Sequence, residues 1–359
     1  MAYPARPRTP AWALILAGVG AGVALTTFVG MKLWRLMPRE TPRTSSVLQA
    51  RREARFVFSA PQLVVPGTLG LEEEQYARIG GALLPDRIGT DRVQELTLDG
   101  DRITLRTHAK DEAELARQRE AIRTCLMEVL PEVRLVRAEM VQIRSEDLAA
   151  AKAVIEHRLQ QTGVRGPVVS SSPPDRITVE ALAASSLESE RLVEVAASTG
   201  LLEFRAIPRA YAFAGEHSPE FSDTGEVTGF TAGDRTVPVE QVLAESPVIA
   251  TSRDLKPNSR VLSTPHVQVS FEFVGAARDR FRDYTQGNVK RYLAIVLDGR
   301  MISCPVIRSV IPGEGVIEGG FDAPGGLEKA RDLSVLLNAG PLPFDVECVA
   351  RMWSVWGVP

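Results

Sequence analysis

Disulfide and metal chemistry have little to work with in this chain of 359 residues, which contains three cysteines and four histidines. Cys125, Cys304 and Cys348 are far apart and make no CxxC pair, so neither a disulfide framework nor a zinc site is expected. His108, His157, His217 and His266 are equally scattered. Charge of one sign is also missing: 42 Lys and Arg against 45 Asp and Glu give a formal charge of −3. Beyond the first sixty residues the two signs are mixed. A nucleic-acid partner, which calls for a basic stripe, is therefore not expected. Walker loops, nucleophile elbows, HExxH and a GxGxxG following a strand are all missing. No catalytic, cofactor-binding or metal-binding residue is assigned, and the chain is not expected to be an enzyme.

One long apolar run is present. Residues 11–31 contain no charged side chain. At ~1.5 Å per residue a helix of that length crosses the ~30 Å hydrocarbon layer. After a tail at residues 1–10, an uncleaved transmembrane anchor over residues 11–33 is expected, with Trp12 and Trp34 at the interfaces. Gly18, Gly22, Thr26 and Gly30 recur every four residues along it and form a small-residue stripe suited to packing against a second helix, including self-association. Lys32, Arg35, Arg39, Arg43 and Arg51 follow the run and outnumber Arg6 and Arg8 before it, which by the positive-inside rule favours a cytoplasmic body.

Residues 34–54, with prolines, hydroxyls and alternating charge, read as a linker. Over residues 55–144 the periodicity predicts a first α+β unit in the order α-β-β-α-β, with a hairpin at Asp99-Gly100-Asp101. The plan repeats about seventy-five residues later: a helix ending at Gly163, strands flanking residues 172–175, a helix over 187–197 and a strand over 201–207. Two ferredoxin-like split βαβ modules are predicted. Residues 211–247, rich in Gly, Pro, Ser and acids, read as a long excursion loop. After it, His266–Phe273 alternates as a half-buried strand. Residues 292–307, YLAIVLDGRMISCPVI, are two apolar strands joined at Asp298-Gly299, a favoured two-residue hairpin pair. Residues 293–297 are apolar on both faces, which predicts a central strand covered on both sides. A turn explains Asp298 without chemistry, and Asp298→Asn is expected to be nearly silent. Cys304 reads as a small buried filler.

The stretch NVKRYLAIVLDGRMISCPVI resembles the "NVGKRLAIVLDG…SAPVI" signature of SecD, in the first periplasmic domain of the SecDF export accessory complex. The resemblance extends from about residue 145 to 350. Arg158, Gly163-Val164, Pro167 to Val169, Asp175 to Ile177 and Leu202 to Arg205 match SecD runs, as does GLEKARDLSVLLNAGPLPFDVE at 326–347. It implies an α+β fold: a SecD-like base from residues 145–210 and 322–351, and a SecD-type head subdomain over 248–321. It also implies a protein of the bacterial inner membrane with a periplasmic body, against the flanking charges; the expectation of a single pass comes from the one apolar run, since SecD itself continues into a bundle of further transmembrane helices. The implied partners are unfolded exported polypeptides, the Sec translocon and SecF-like components. The Asp-Leu-Arg-Gly-Gly-type run of SecD is absent, and residues 353–359 add no second apolar run. Proton-coupled transport needs ionisable groups within the membrane, and residues 11–31 have none, so none is expected of this chain alone.

Overall fold

The β-strands follow the alternation of apolar residues closely, and three of the five sheets gather strands from distant parts of the chain. The computed structural model describes residues 43–354, apart from 62, 64–70, 214–216, 224, 233–234, 264, 320 and 322–324. The expected anchor at 11–33 and its stripe at Gly18, Gly22, Thr26 and Gly30 lie outside the described residues. Among the described residues no helix is long and apolar enough to cross a membrane.

The elements begin with β1 (Arg43–Ala50) and β2 (Glu53–Ser59), then α1 (Leu71–Ala82), α2 (Pro85–Ile88), β3 (Val93–Asp99), β4 (Arg102–His108), α3 (Glu112–Val129) and β5 (Arg134–Val141). The second stretch runs α4 (Ser145–Gln161), β6 (Arg165–Ser172), β7 (Arg176–Leu182), α5 (Ser186–Ala197) and β8 (Leu202–Ala206). It is followed by β9 (Ser218–Phe221), β10 (Val227–Ala232), β11 (Arg235–Pro238), α6 (Val239–Ala244), β12 (Val248–Thr251), β13 (Val261–Leu262) and β14 (Gln268–Glu272). The last part comprises α7 (Gly275–Gly287), β15 (Leu293–Leu297), β16 (Arg300–Ser303), β17 (Glu314–Ile317), α8 (Gly326–Ala339) and β18 (Val346–Ser354).

The first module is an antiparallel sheet in the order β3-β4-β2-β5 with α1 and α3 between its strands in sequence, the split βαβ plan. Phe56, Phe58, Ile103 and Leu105 point from alternate strand positions into one core with Ile122 and Leu126 of α3. Asp111 caps α3 by accepting from the Glu114 amide at 2.8 Å, satisfying one of the helix's orphan donors.

The second module repeats the plan with different pieces. Its sheet runs β18-β1-β7-β6, over a core of Leu48, Ile155, Leu159, Ile177 and Val179. Residues 43–50, expected within the 34–54 linker, are thus a strand of this sheet. Thr44 and Ser46 take inward positions that an apolar pattern would have flagged, and Thr44 Oγ1 is bonded to Ser189 Oγ at 2.5 Å, so its hydroxyl is buried without an unpaired group. The strand at 201–207, expected to close this repeat, does not join it. β8 pairs with β12 and β15 in another sheet, and β18 takes the vacant edge.

The third module, between β8 and α8, holds the sheet β12-β8-β15-β16 and two three-stranded sheets, β11-β10-β9 and β13-β14-β17. Residues 211–247 differ from the expected irregular loop: they contain β9 to β11 and α6. Val227, Phe230 and Val242 pack on Tyr292, Ala294, Val296 and Met301. Strands of four to six residues separated by Gly, Pro and Ser give too short a period to read. On the opposite face of β15, Leu293 and Ile295 pack with Phe204, Phe271, Phe273 and Phe281. β15 is therefore central and covered on both faces, as its apolar run predicts. At the hairpin Asp298 and Gly299 have φ of 49° and 81°, the left-handed pair a type I′ turn requires.

Candidate functional site

The chain leaves the second module at residues 198–201 and returns at 340–345, and these crossings are stitched together by polar contacts. Leu342 N donates to Thr199 O at 2.7 Å. Arg158, in the last turn of α4, is fully buried. Its Nη1 donates to the carbonyls of Val195, at 3.2 Å, and Ser198, and its Nη2 to those of Thr199 and Gly340 at 3.0 and 2.9 Å. Val195 and Ser198 end α5 and Gly340 caps α8, so one guanidinium sits at the negative ends of two helices. Burial lowers its pKa to about 10, with the Asp298 carboxylate acting in the opposite sense, and it stays charged at neutral pH.

Beside it lies a hub centred on Asp345, where the return segment enters β18. Its carboxylate accepts from Arg92 Nη2 at 2.5 Å, Gln94 Nε2 at 3.1 Å and Thr199 Oγ1 at 2.5 Å, and contacts His108 Nε2 at 3.1 Å. Burial alone would raise the Asp345 carboxyl, but the bond to His108, the Arg92 charge and the Thr199 hydroxyl outweigh it and hold the pKa far below the usual range. His108 Nδ1 meets Asp91 Oδ1 at 2.9 Å, and Arg51 completes the chain on Asp91 Oδ2 at 2.5 Å. Arg92 also donates to the backbone oxygen of Asp298. The hub therefore joins all three modules. Asp298 itself accepts from Ser198 Oγ at 2.5 Å and from the Leu201 amide at 3.0 Å, an anchoring role that the turn reading missed.

Above this hub opens a cleft of about 990 Å³. One wall comes from β3 and α1, including Leu96, Leu98 and Tyr76. The other comes from β8, β12 and α7, including Val248, Ile249 and Tyr284. Its charged groups pair across short distances: Arg106 with Glu53 and, at 3.2 Å, with Glu95, and Arg205 with Glu203 at 3.0 Å. Among the described residues no cluster of His, Cys, Asp and Glu is arranged to hold a metal ion. The buried Cys304 thiol is pushed well up by burial, away from the reactive thiolate.

Comparison with known proteins gives these geometries a family. The family model of the SecDF P1 head subdomain matches residues 230–344. This stretch, about a third of the chain, is similar to the SecDF P1 head. The chain is 30% identical over 212 residues to the protein translocase subunit SecD of Aquifex aeolicus, covering 59% of this chain and 40% of that protein. It is 29% identical over 291 residues to SecD of Acetobacter pasteurianus, covering 75% of this chain and 51% of that protein. A solved structure titled "Structure and function of a membrane component SecDF that enhances protein export" is 26% identical, with a TM-score of 0.43 over 58% of this chain and 93% of that one. At that score the likeness does not bear on overall shape. The chain spans about half the length, or less, of these SecD relatives. The likeness to SecD drawn from the sequence motifs holds, and the central hairpin β15-β16 lies within the matched head.

The SecD-matching run at residue 158 carries a sign of these polar contacts in the sequence. An arginine on the apolar face of α4, among Leu148, Ile155 and Leu159, is the one sign in the sequence that this helix face meets polar backbone. Asp345, His108 and Arg92 had no such sign: they are 237 and 253 residues apart from one another in the pairs they form.

Proposed function

We propose that the chain is a membrane-anchored SecD-like accessory component of protein export, whose extracytoplasmic body binds extended, unfolded polypeptide without catalysis and without proton-coupled transport of its own. The observation that carries this reading is the SecDF P1 head match over residues 230–344, which includes the central β15-β16 hairpin. The relatives are named as protein translocase subunits, so the Sec translocon and a SecF-like protein are the expected partners. In this reading residues 11–33 hold the chain in the bacterial inner membrane as a single span with the body in the periplasm. The stripe of Gly18, Gly22, Thr26 and Gly30 packs that span on itself or on a partner helix. The binding mode follows from sheet edges: a strand with an unpaired side accepts any extended chain through main-chain hydrogen bonds, largely without regard to sequence.

The test is crosslinking in living cells between the full chain and newly exported polypeptides. Adducts with several unrelated exported chains are expected. No adducts above background, together with stable co-purification of one folded partner, would make the protein an envelope scaffold instead. Topology is checked separately with a C-terminal alkaline phosphatase fusion, which is expected to be active; an inactive fusion with normal expression would place the body in the cytoplasm.

A further inference from the structure

Two of the open sheet edges line the same cleft. β3 is an end strand of the first module and pairs with β4 alone; β12 is an end strand of the head sheet and pairs with β8 alone. Residues 94–98 of β3 and Val248, Ile249 and Thr251 of β12 all line the 990 Å³ space. Each strand therefore carries backbone groups along its unpaired side that no ladder satisfies. Two of the carbonyls on these strands take long side-chain bonds. Tyr76 Oη donates to Leu96 O at 3.4 Å, and Arg280 Nε donates to Ile249 O at 3.4 Å. Bonds at the outer limit of length are weak and are readily exchanged for a main-chain amide.

The chemistry of the lining selects the occupant. Six acidic and five basic side chains line the cleft among the described residues, and several pair with each other as above. That balance offers no net field to a phosphate, a nucleic acid or a strongly charged peptide. Between them the lining includes the aliphatic and aromatic side chains of Leu96, Leu98, Val248, Ile249 and Tyr284, alongside uncharged polar ones such as Thr97 and Thr251. Val248 is 39% exposed and Leu98 half-buried, on strands that end a sheet. An uncharged, extended protein segment satisfies both features at once, its amides and carbonyls meeting the edges and its apolar side chains meeting these residues.

We propose that this cleft, between the open edges of β3 and β12, is the docking site for an extended, largely uncharged stretch of unfolded polypeptide, which adds as a strand. The inference rests on the polypeptide-binding reading above and names where that binding occurs. It places half of the site on the first module, which lies outside the residues matched by the head family.

The experiment uses the full chain purified in detergent, with photoactivatable benzoylphenylalanine at position 98 or 248 in the cleft, at position 316 on the β17 edge, or at position 136 on the β5 edge. The probe is a short biotinylated peptide alternating valine and threonine, compared with the same peptide N-methylated at alternate amides. Positions 98 and 248 are expected to capture the first peptide and not the methylated one, and position 136 neither. Val248→Asp, at a position exposed enough to leave the fold intact, is expected to weaken peptide binding about tenfold, since a charge there opposes an apolar contact. Capture at 316 with none in the cleft would overturn this site while leaving polypeptide binding standing. Equal capture of the methylated peptide would overturn strand addition. No capture at any position would overturn both this inference and the function on which it rests.

Discussion

Replacing Arg158 with methionine removes the charge and every donor while keeping a long, flexible chain of similar reach. Four carbonyls, on Val195, Ser198, Thr199 and Gly340, then lose this partner in a place where the side chain was fully buried. Hydrogen bonds to a charged group are worth ~1.5 to 3 kcal/mol each. The wild-type guanidinium offsets part of that gain by its own burial, as its lowered pKa shows. Breaking such a buried network typically costs ~3 to 5 kcal/mol. For a chain of this size each kcal/mol moves the melting temperature by about 2 to 4 °C, so Arg158→Met should lower it by roughly 10 °C. Arg158→Lys should fall between the two, because an ammonium cannot span four acceptors held by a planar fork. Gly200→Ala is the independent check. Gly200 has φ of +71°, and an added Cβ would lie 2.4 Å from Arg158 Nη2, so it should reproduce much of the methionine phenotype through displacement of the same side chain. The assay is thermal unfolding followed by circular dichroism, paired with limited proteolysis. New cleavage is expected first at 198–201 and 340–345, where the crossings come apart. An unchanged melting temperature for Arg158→Met, with the same proteolytic pattern, would refute the idea that this residue holds the two crossings together.

Ile295→Asp would bury an unpaired carboxylate in a strand covered on both sides, at a cost of several kcal/mol, and should leave the head protease-sensitive. Asp298→Asn, silent on the turn reading alone, should now cost about 1 to 2 kcal/mol, because an amide replaces one of the two oxygens that accept from Ser198 and Leu201; chemical denaturation measures it. Asp345 has a depressed folded pKa, so its contribution to stability is fully present above the unfolded value of ~3.9 and is lost as pH falls below that toward the folded value. The wild-type melting temperature should therefore drop steeply below about pH 4, and Asp345→Asn should flatten that drop; parallel curves would show that the hub does not couple to pH in this way. Cys304, buried with a raised thiol pKa, should react with maleimide only on unfolding, whereas exposed Cys348 should react at once.

Patterns confined to a few neighbouring residues were legible in the sequence. The β15-β16 hairpin could be read from five apolar residues and Asp298-Gly299, and the half-buried β14 from strict alternation between positions 267 and 273. The helices α3 and α5 could be read from their period, and their caps at Asp111 and Ser185 are ordinary N-cap residues. What could not be read depends on partners far away. β1 looks like a linker because its first two inward positions, Thr44 and Ser46, are hydroxyls, and the bond to Ser189 is what pairs the buried Thr44 hydroxyl. β8 looks like the closing strand of its own repeat, and nothing local says that it prefers β15. The cleft and the Asp345 hub arise where modules meet, so no window of sequence contains them. Arg158 was the exception, since a charge on an apolar helix face is visible without knowing what it touches.

The pairing of β1 with β18's sheet has a consequence for the order in which the protein can be made. The first module is contiguous, residues 53–141, and the head strands lie within one stretch, so both can close their sheets while the rest of the chain is still emerging. The second module cannot. Its first strand begins at Arg43, its middle strands come at Arg165–Leu182, and its last strand begins only at Val346. During synthesis from the N-terminus, β1 must wait for partners more than a hundred residues downstream, and its outer edge stays open until the final strand arrives. An unfinished chain is thus held with two finished domains and an additional exposed strand edge on β1, of the same kind that the finished protein is proposed to offer to others.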